Sequence, residues 1–248
     1  MSEFQGKTVV VTGASSGIGW HTARLFAGAG ARVVAHYHRN REGAEKLLAE
    51  GDVALARSDF SISAGIKPLV AAVEKRFAGR VDVLVNNAGS LLRRARILEV
   101  DEALWDTVMN LNLKSVYLCC RAFLPGMVER KDGAIVNVSS IAARNGGGPG
   151  ASVYAAAKGA LITLTKGMAK EFAPLGVRIN AVAPGVILTP FHEQFSTPAI
   201  LEAFRAAVPL GRLGRPEEVA EAILFLASSR AGFLIGETIE INGGMLMD

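Results

Sequence analysis

Cysteine is almost absent from this chain: two residues of 248, adjacent at Cys119 and Cys120 inside an apolar run. With no other cysteine available to close a long-range loop, a disulfide-framed secreted domain and a cysteine-rich zinc module are both excluded. Proline contributes only nine residues and no glycine tract runs longer than Gly146-Gly147-Gly148. The 27 glycines, about 11% of the chain against an ordinary ~7%, therefore signal neither collagen nor low-complexity disorder. No apolar stretch reaches the ~18 residues that cross a bilayer, and the segment from Met1 to Lys7 lacks the basic region and apolar core of a signal peptide. A reducing cytoplasm is the expected compartment, with no membrane partner. Tyrosine is limited to three residues and the basic side chains are scattered, so the net charge of +4 forms no basic and aromatic stripe suited to nucleic acid. A small or anionic ligand fits that charge better. Among the four histidines, His21 has no partner at ligand spacing and His36-x-His38 lacks a third ligand, so no metal is expected.

What is present is an alternation of short β-branched runs with longer helical patterns. Strands are expected at Lys7 to Thr12, Arg32 to Tyr37, Val53 to Arg57, Val81 to Asn86, Ala134 to Val138, Val177 to Val182 and Thr238 to Ile241. Helices are expected across Ile18 to Ala29, Glu102 to Val128 with a break near Asn110, and Ser152 to Phe172. Strands that are apolar throughout and separated by helices belong to a parallel sheet covered on both faces. The expectation is an α/β doubly wound fold with seven strands in one domain over residues 1–248, because no linker, repeat or low-complexity block divides the chain. The long irregular stretch from Pro184 to Pro216, with a helix over Pro198 to Val208, follows a strand's C-terminal end and reads as a substrate loop.

Four motifs fall at strand ends. The first strand runs into Thr12-Gly13-Ala14-Ser15-Ser16-Gly17-Ile18-Gly19 and then a helix, so glycines stand where backbone must turn tightly and helix amides can face a pyrophosphate. Asn86-Asn87-Ala88-Gly89 closes the fourth strand and Ser139-Ser140 the fifth. Tyr154 and Lys158 sit at i and i+4 on one helix face, where a cation favours the phenolate and makes the pair a candidate general acid/base. A lone Tyr-x-x-x-Lys is weak; four motifs sharing one sheet rim are not.

In this combination the chain resembles the short-chain dehydrogenase/reductase family along essentially its whole length, through Asn112, Pro184-Gly185 and the terminal Ile241-Asn242-Gly243-Gly244. The resemblance implies a Rossmann-like fold, a nicotinamide cofactor and reversible hydride transfer to a carbonyl. It further implies that Tyr154 gives the proton, Lys158 lowers the phenol pKa and holds the nicotinamide ribose, Ser140 binds the substrate oxygen, and Asn112 holds a water linking Lys158 to solvent. Ser140 matches the family's second serine, one residue further from the tyrosine than is usual, with the Gly146 to Gly150 loop absorbing the difference; Ser139 reads as a strand-end side chain. The implied cofactor set is Gly13, Ser15, Ser16, Gly17, Ile18 and Gly19; Tyr37, His38 and Arg39; Asp59 and Phe60; Asn87, Ala88 and Gly89; Tyr154 and Lys158; and Pro184, Gly185, Ile187 and Thr189. Relatives commonly form homotetramers, and the apolar faces of the helices around Val116 to Val128 and Ser152 to Phe172 suit a partner surface.

The second strand ends in Tyr37-His38-Arg39, where an NAD-preferring relative would carry a carboxylate for the ribose hydroxyls. With none to repel a 2′-phosphate and a guanidinium to bind one, NADP(H) is favoured over NAD(H), with dual use open because Ser15 and Ser16 replace a basic residue in the turn. Arg93, Arg94 and Arg96 after the fourth strand, Arg144 after the fifth, and His192 in the loop suggest an anionic carbonyl substrate. A keto sugar acid is the main expectation, because the glycine loop and Thr189-Pro190-Phe191-His192 look similar to reductases of uronates released from alginate. A 3-oxoacyl-(acyl-carrier-protein) reductase is the alternative, a steroid or alcohol dehydrogenase remains open, and an inactive NADP-binding sensor is the reading of another class. Arg39→Ala is expected to raise KM for NADPH far more than for NADH in parallel kinetics; equal effects would remove the NADP preference.

Overall fold

A computed structural model of the chain describes residues 2–247, excluding the side chains of His192 and Glu193. Seven parallel strands form one sheet: β1 Thr8–Val11, β2 Arg32–Tyr37, β3 Val53–Arg57, β4 Val83–Asn86, β5 Gly133–Val138, β6 Val177–Pro184 and β7 Thr238–Ile241. Their order is β3-β2-β1-β4-β5-β6-β7, so the chain winds outward from β1 in one direction and returns to its other side at β4. In register, Val9 lies beside Val33 and Val83, and Val136 beside Val85. The two faces are equally apolar because both are covered. Helices α1 (Gly17–Gly28) and α10 (Pro216–Ala227) lie against one face over Val9, Val11, Val85 and Val136. Helices α3 (Ile66–Phe77), α5 (Ser115–Arg130) and α7 (Ser152–Phe172) cover the other over Val10, Leu84, Ile135 and Ile179. The expected doubly wound α/β fold is the observed one.

Between β2 and β3 lies the short α2 (Arg41–Glu45). The helix expected over Glu102 to Val128 is three pieces: α4 (Glu102–Met109), a π-helical turn Asn110–Lys114, and α5. A single π turn inside a helix displaces backbone bonds and recurs at functional sites; here it carries Asn112. Within the stretch from Pro184 to Pro216, the helix expected over Pro198 to Val208 is α9 (Pro198–Ala207), capped by the Thr197 hydroxyl accepting from the Ile200 amide, and the short α8 (Pro190–Phe195), which was not expected, precedes it. Its start and end are tied by a parallel bridge between Ile187 and Gly214, and α6 (Ala142–Asn145) opens the Gly146 to Gly150 loop. No helix among the described residues is long and apolar enough to cross a membrane.

Both cysteines are free and buried, and Cys120 belongs to a polar chain through the core. Asn86 Nδ2 lies 3.6 Å from Cys120 Sγ and donates to Asn137 Oδ1 at 2.9 Å; Asn137 Nδ2 donates to Thr165 Oγ1 at 2.9 Å. This line crosses from β4 through β5 to α7 and sets the height of α7 over the sheet. Asn137→Ala would leave the amide of Asn86 and the hydroxyl of Thr165 short of a partner, a loss expected to be about 2–4 kcal/mol. Urea unfolding should show a lower midpoint with an unchanged slope.

Candidate active site

In an open α/β sheet, ligands bind outside the carboxyl ends of the strands where the winding direction reverses. That point lies between β1 and β4, and a threonine builds it. Thr12 Oγ1 accepts from the amides of Asn87 at 2.9 Å and Ala88 at 3.0 Å, and Asn87 Nδ2 returns to the carbonyls of Thr12 and Gly13. A cavity of about 630 Å³ runs along this rim. The glycines are required by space as well as by conformation: Gly13 has φ +66°, and a Cβ there would lie 2.9 Å from Ala88 Cα. At Gly19 a Cβ would overlap the Gly13 carbonyl and the Asn87 amide. Helix α1 starts at Gly17 with no side-chain cap and no acidic residue in its first turn, so its unpaired amides and dipole face the cavity. These features fit the pyrophosphate of a dinucleotide.

Tyr154 and Lys158 project from α7 into the same cavity beside Ser139 and Ser140 at the end of β5. The Tyr154 hydroxyl is hydrogen-bonded to Ser140, yet burial dominates and pushes the phenol up to about 12. Lys158 is 3% exposed, donates from Nζ to the Val138 carbonyl at 2.7 Å, and is pulled down to about 8 by burial. The expected lowering of the phenol by its lysine is not found: Nζ stands 5.7 Å from the ring centre, burial is the largest cause of the shift, and the bond to Ser140 is what opposes it. Ser139 is a fastener, its hydroxyl donating to the Lys158 carbonyl at 2.9 Å. Asn112 is fully buried, accepting from the Ser90 amide and donating to the carbonyls of Ser90 and Val108. A Cβ on Gly89 would lie 2.7 Å from Asn112 Oδ1 and 3.1 Å from Lys158 Nζ. Glycine there lets the π turn and α7 close on one loop.

The cavity is lined by Gly13, Ser15, Ser16, Gly17, Ile18, His38, Arg39, Asp59, Phe60, Asn87, Ala88, Gly89, Pro184, Gly185, Ile187 and Thr189, as the motifs imply. Gly19 and Asn112 stand behind the wall. Tyr37 does not line the cavity: side chains alternate along a strand, so His36 and His38 face the site while Tyr37 is buried on the other side. The expected cations are also elsewhere. Arg94 gives Nε to the Phe195 carbonyl at 2.9 Å and Nη1 to the Pro149 carbonyl at 3.0 Å, and Arg144 pairs with Glu240 at 3.3 Å. Arg93 reaches the Glu99 carbonyl, and the Arg96 amide is held by the Glu99 carboxylate. None of these four arginines lines the cavity. The side chain of His192 lies outside the described residues.

Phe191 was quoted within Thr189-Pro190-Phe191-His192 but given no place in the site; its ring stands 6.0 Å from that of Tyr154, on a helix too short to show periodicity. Sequence reasoning missed the role of His36. This ring is buried, stacked 4.0 Å from Phe60, and accepts from the Gly13 amide at Nδ1 (3.1 Å), leaving Nε2 to donate to the Ser58 carbonyl at 3.2 Å. Burial, with the Ser58 bond opposing, lowers its pKa to about 4; His38 pushes the same way and Asp59 against it. A base held neutral in the fold but free to protonate in the unfolded chain destabilises the fold as pH falls from about 6.5 towards 4, by about 3 kcal/mol in all, and adds nothing further below that. Urea midpoints measured across this range should show that slope in the wild type and lose it in His36→Asn.

Comparison with known proteins places the chain in a family. Residues 13–246 match the family model described as enoyl-(acyl carrier protein) reductase. A curated relative named 3-oxoacyl-(acyl-carrier-protein) reductase FabG, from Thermotoga maritima, is 42% identical over 98% of this chain and 99% of its own. Among solved structures, one titled as a short chain dehydrogenase/reductase family protein is 39% identical with a TM-score of 0.86, covering 98% of both chains. Another, an NADH-dependent reductase responsible for alginate metabolism, is 35% identical with a TM-score of 0.90 over the whole of both chains. With a family model matching residues 13–246 and relatives 39–42% identical over 98% of its length, the chain belongs to the short-chain dehydrogenase/reductase family of oxidoreductases.

Proposed function

We propose that this enzyme reduces the keto group of a 3-oxoacyl thioester, presented on a carrier protein in the cytoplasm, using NADPH. The observation that carries the substrate is the wall around Tyr154: Leu92, Leu111 and Phe191 with the neutral Thr107 and Gln194. Among the described residues, Lys158 and Arg39 are the lysine and arginine that line the cavity, and Arg94 beside α8 spends its donors on the Phe195 and Pro149 carbonyls, so an acyl chain suits this wall better than a carboxylate does. The name of the Thermotoga maritima relative points the same way. The keto sugar acid reading keeps one support, the 35% identity to the reductase of alginate metabolism, and predicts the opposite substrate charge.

At the adenine end, Arg39 and His38 line the cavity, and the Asp59 carboxylate is occupied by the Ser61 amide and by His38 at 3.5 Å. This arrangement favours a 2′-phosphate. Bound there, the nicotinamide dinucleotide supplies or accepts the hydride. Ser140 and Tyr154 hold the substrate oxygen between them, and Tyr154, a protonated phenol at neutral pH, gives its proton to that oxygen as negative charge develops. Lys158, cationic below about 8, stabilises the phenolate left behind and would hold the nicotinamide ribose. The side-chain polar atoms of Asn112 are engaged by Ser90 and Val108, which fastens the π turn beside Gly89 and Lys158. Exposed Trp105 and Tyr117, on α4 and α5, supply apolar surface for assembly as a homotetramer.

Nicotinamide absorbance with NADPH should show turnover of acetoacetyl thioesters far above that of a keto sugar acid, and Tyr154→Phe should lower kcat by about 10²- to 10⁴-fold. Reduction should hold below pH 8 and decline as pH rises through it, because Lys158 then loses its charge. Preference for the sugar acid, or an active Tyr154→Phe, would overturn the reading.

A further inference from the structure

Both ring nitrogens of the buried His36 are engaged by backbone groups. The ring joins the three chain segments that form the adenine side of the cavity. Its Nδ1 takes the Gly13 amide at 3.1 Å, its own carbonyl takes the Ala14 amide at 2.8 Å, and its Nε2 gives to the Ser58 carbonyl at 3.2 Å. Phe60, which lines the cavity, lies flat on the ring at 4.0 Å with 7° between planes. Two consecutive amides of the glycine turn are thus consumed by one residue, one by its side chain and one by its backbone. The amides that follow, from Ser15 into α1, are the ones left facing the cavity.

We infer that His36 is a positioning residue for the dinucleotide: it locks the first glycine of the turn in its left-handed conformation before the cofactor arrives, so that binding does not have to order the turn. The energetic logic is preorganisation. Gly13 at φ +66° belongs to a residue type with a wide choice of backbone states. A chain free to leave the bound conformation loses affinity in proportion to the time it spends elsewhere. A hydroxyl or aliphatic side chain at position 36 would not offer an sp² acceptor at this reach, and only the neutral ring with hydrogen on Nε2 satisfies both partners at once. The cavity entrance to this ring is shaped by His38, paired with Asp59, and by Arg39, all on the solvent side. The reach towards Gly13 is therefore made by His36 alone among the residues of β2.

This inference rests on the dinucleotide reading of the cavity, and its test separates the two. His36→Asn keeps an acceptor near the Nδ1 position but abandons Ser58; His36→Gln places its amide near Nε2 and abandons Gly13. Binding of NADPH, NADH and ADP-ribose should be followed by fluorescence or calorimetry, with amide hydrogen exchange of Gly13 and Ala14 in the cofactor-free proteins. The expected result is that His36→Gln weakens all three ligands about tenfold or more and speeds exchange at Gly13, with kcat at saturating NADPH within about threefold of wild type. His36→Asn should stay within about threefold in affinity. Equal affinities for wild type and His36→Gln, equal losses in both variants, or a loss in kcat without one in Kd would each overturn the assignment. A wild-type protein that binds none of the three ligands would instead overturn the dinucleotide reading itself.

Discussion

The hydroxyl of Thr12, seated between the diverging ends of β1 and β4, is the contact on which the site depends. Parallel strands that are wound outward in both directions leave a gap at their carboxyl ends, and backbone amides in that gap need partners. Thr12 accepts two of them, and Asn87 closes the exchange by donating to Thr12 and Gly13. With the gap held to this width, the glycine turn has one course available, and Gly19 must pass against the Gly13 carbonyl where no side chain fits. The position of α1, and so of its uncapped N-terminus, follows from those contacts.

The reactive end is governed by burial. Lys158 is buried and Tyr154 half-buried at the cavity wall, and partial removal from water pushes each towards its neutral form, the phenol upward and the ammonium downward. This fits a proton donor that keeps its proton until charge develops beside it. The cost of burying Lys158 is offset by the Val138 carbonyl, and the height of α7 that brings them together is set by the chain of amides from Asn86 to Thr165. The π turn at Asn110–Lys114 belongs to the same fitting, since it places Asn112 where Gly89 leaves room. Core packing, helix register and proton chemistry are here one set of contacts.

Much of this was legible because it is local. Seven β-branched runs appear as strands with bounds that shift by a few residues at most, and the motifs at their ends line one cavity. The break near Asn110 was expected from the sequence, though its π geometry was not. What escaped depends on partners distant in the chain. Arg94 reads as a free cation until Phe195, 101 residues away, and Pro149 take its donors. Arg144 does so until Glu240 pairs with it. His36 carries no motif, and its acceptor role exists only because the turn after β1 passes over it.

The sequence by itself determined the sheet, its parallel winding and the rim on which chemistry gathers, because periodicity, glycine and strand-end motifs are properties of neighbouring residues. Tertiary structure alone decided which charges remain available, how far Tyr154 and Lys158 are removed from water, and which ring holds the glycine turn. Each of these depends on desolvation or on a hydrogen bond between segments that meet only once the chain has folded.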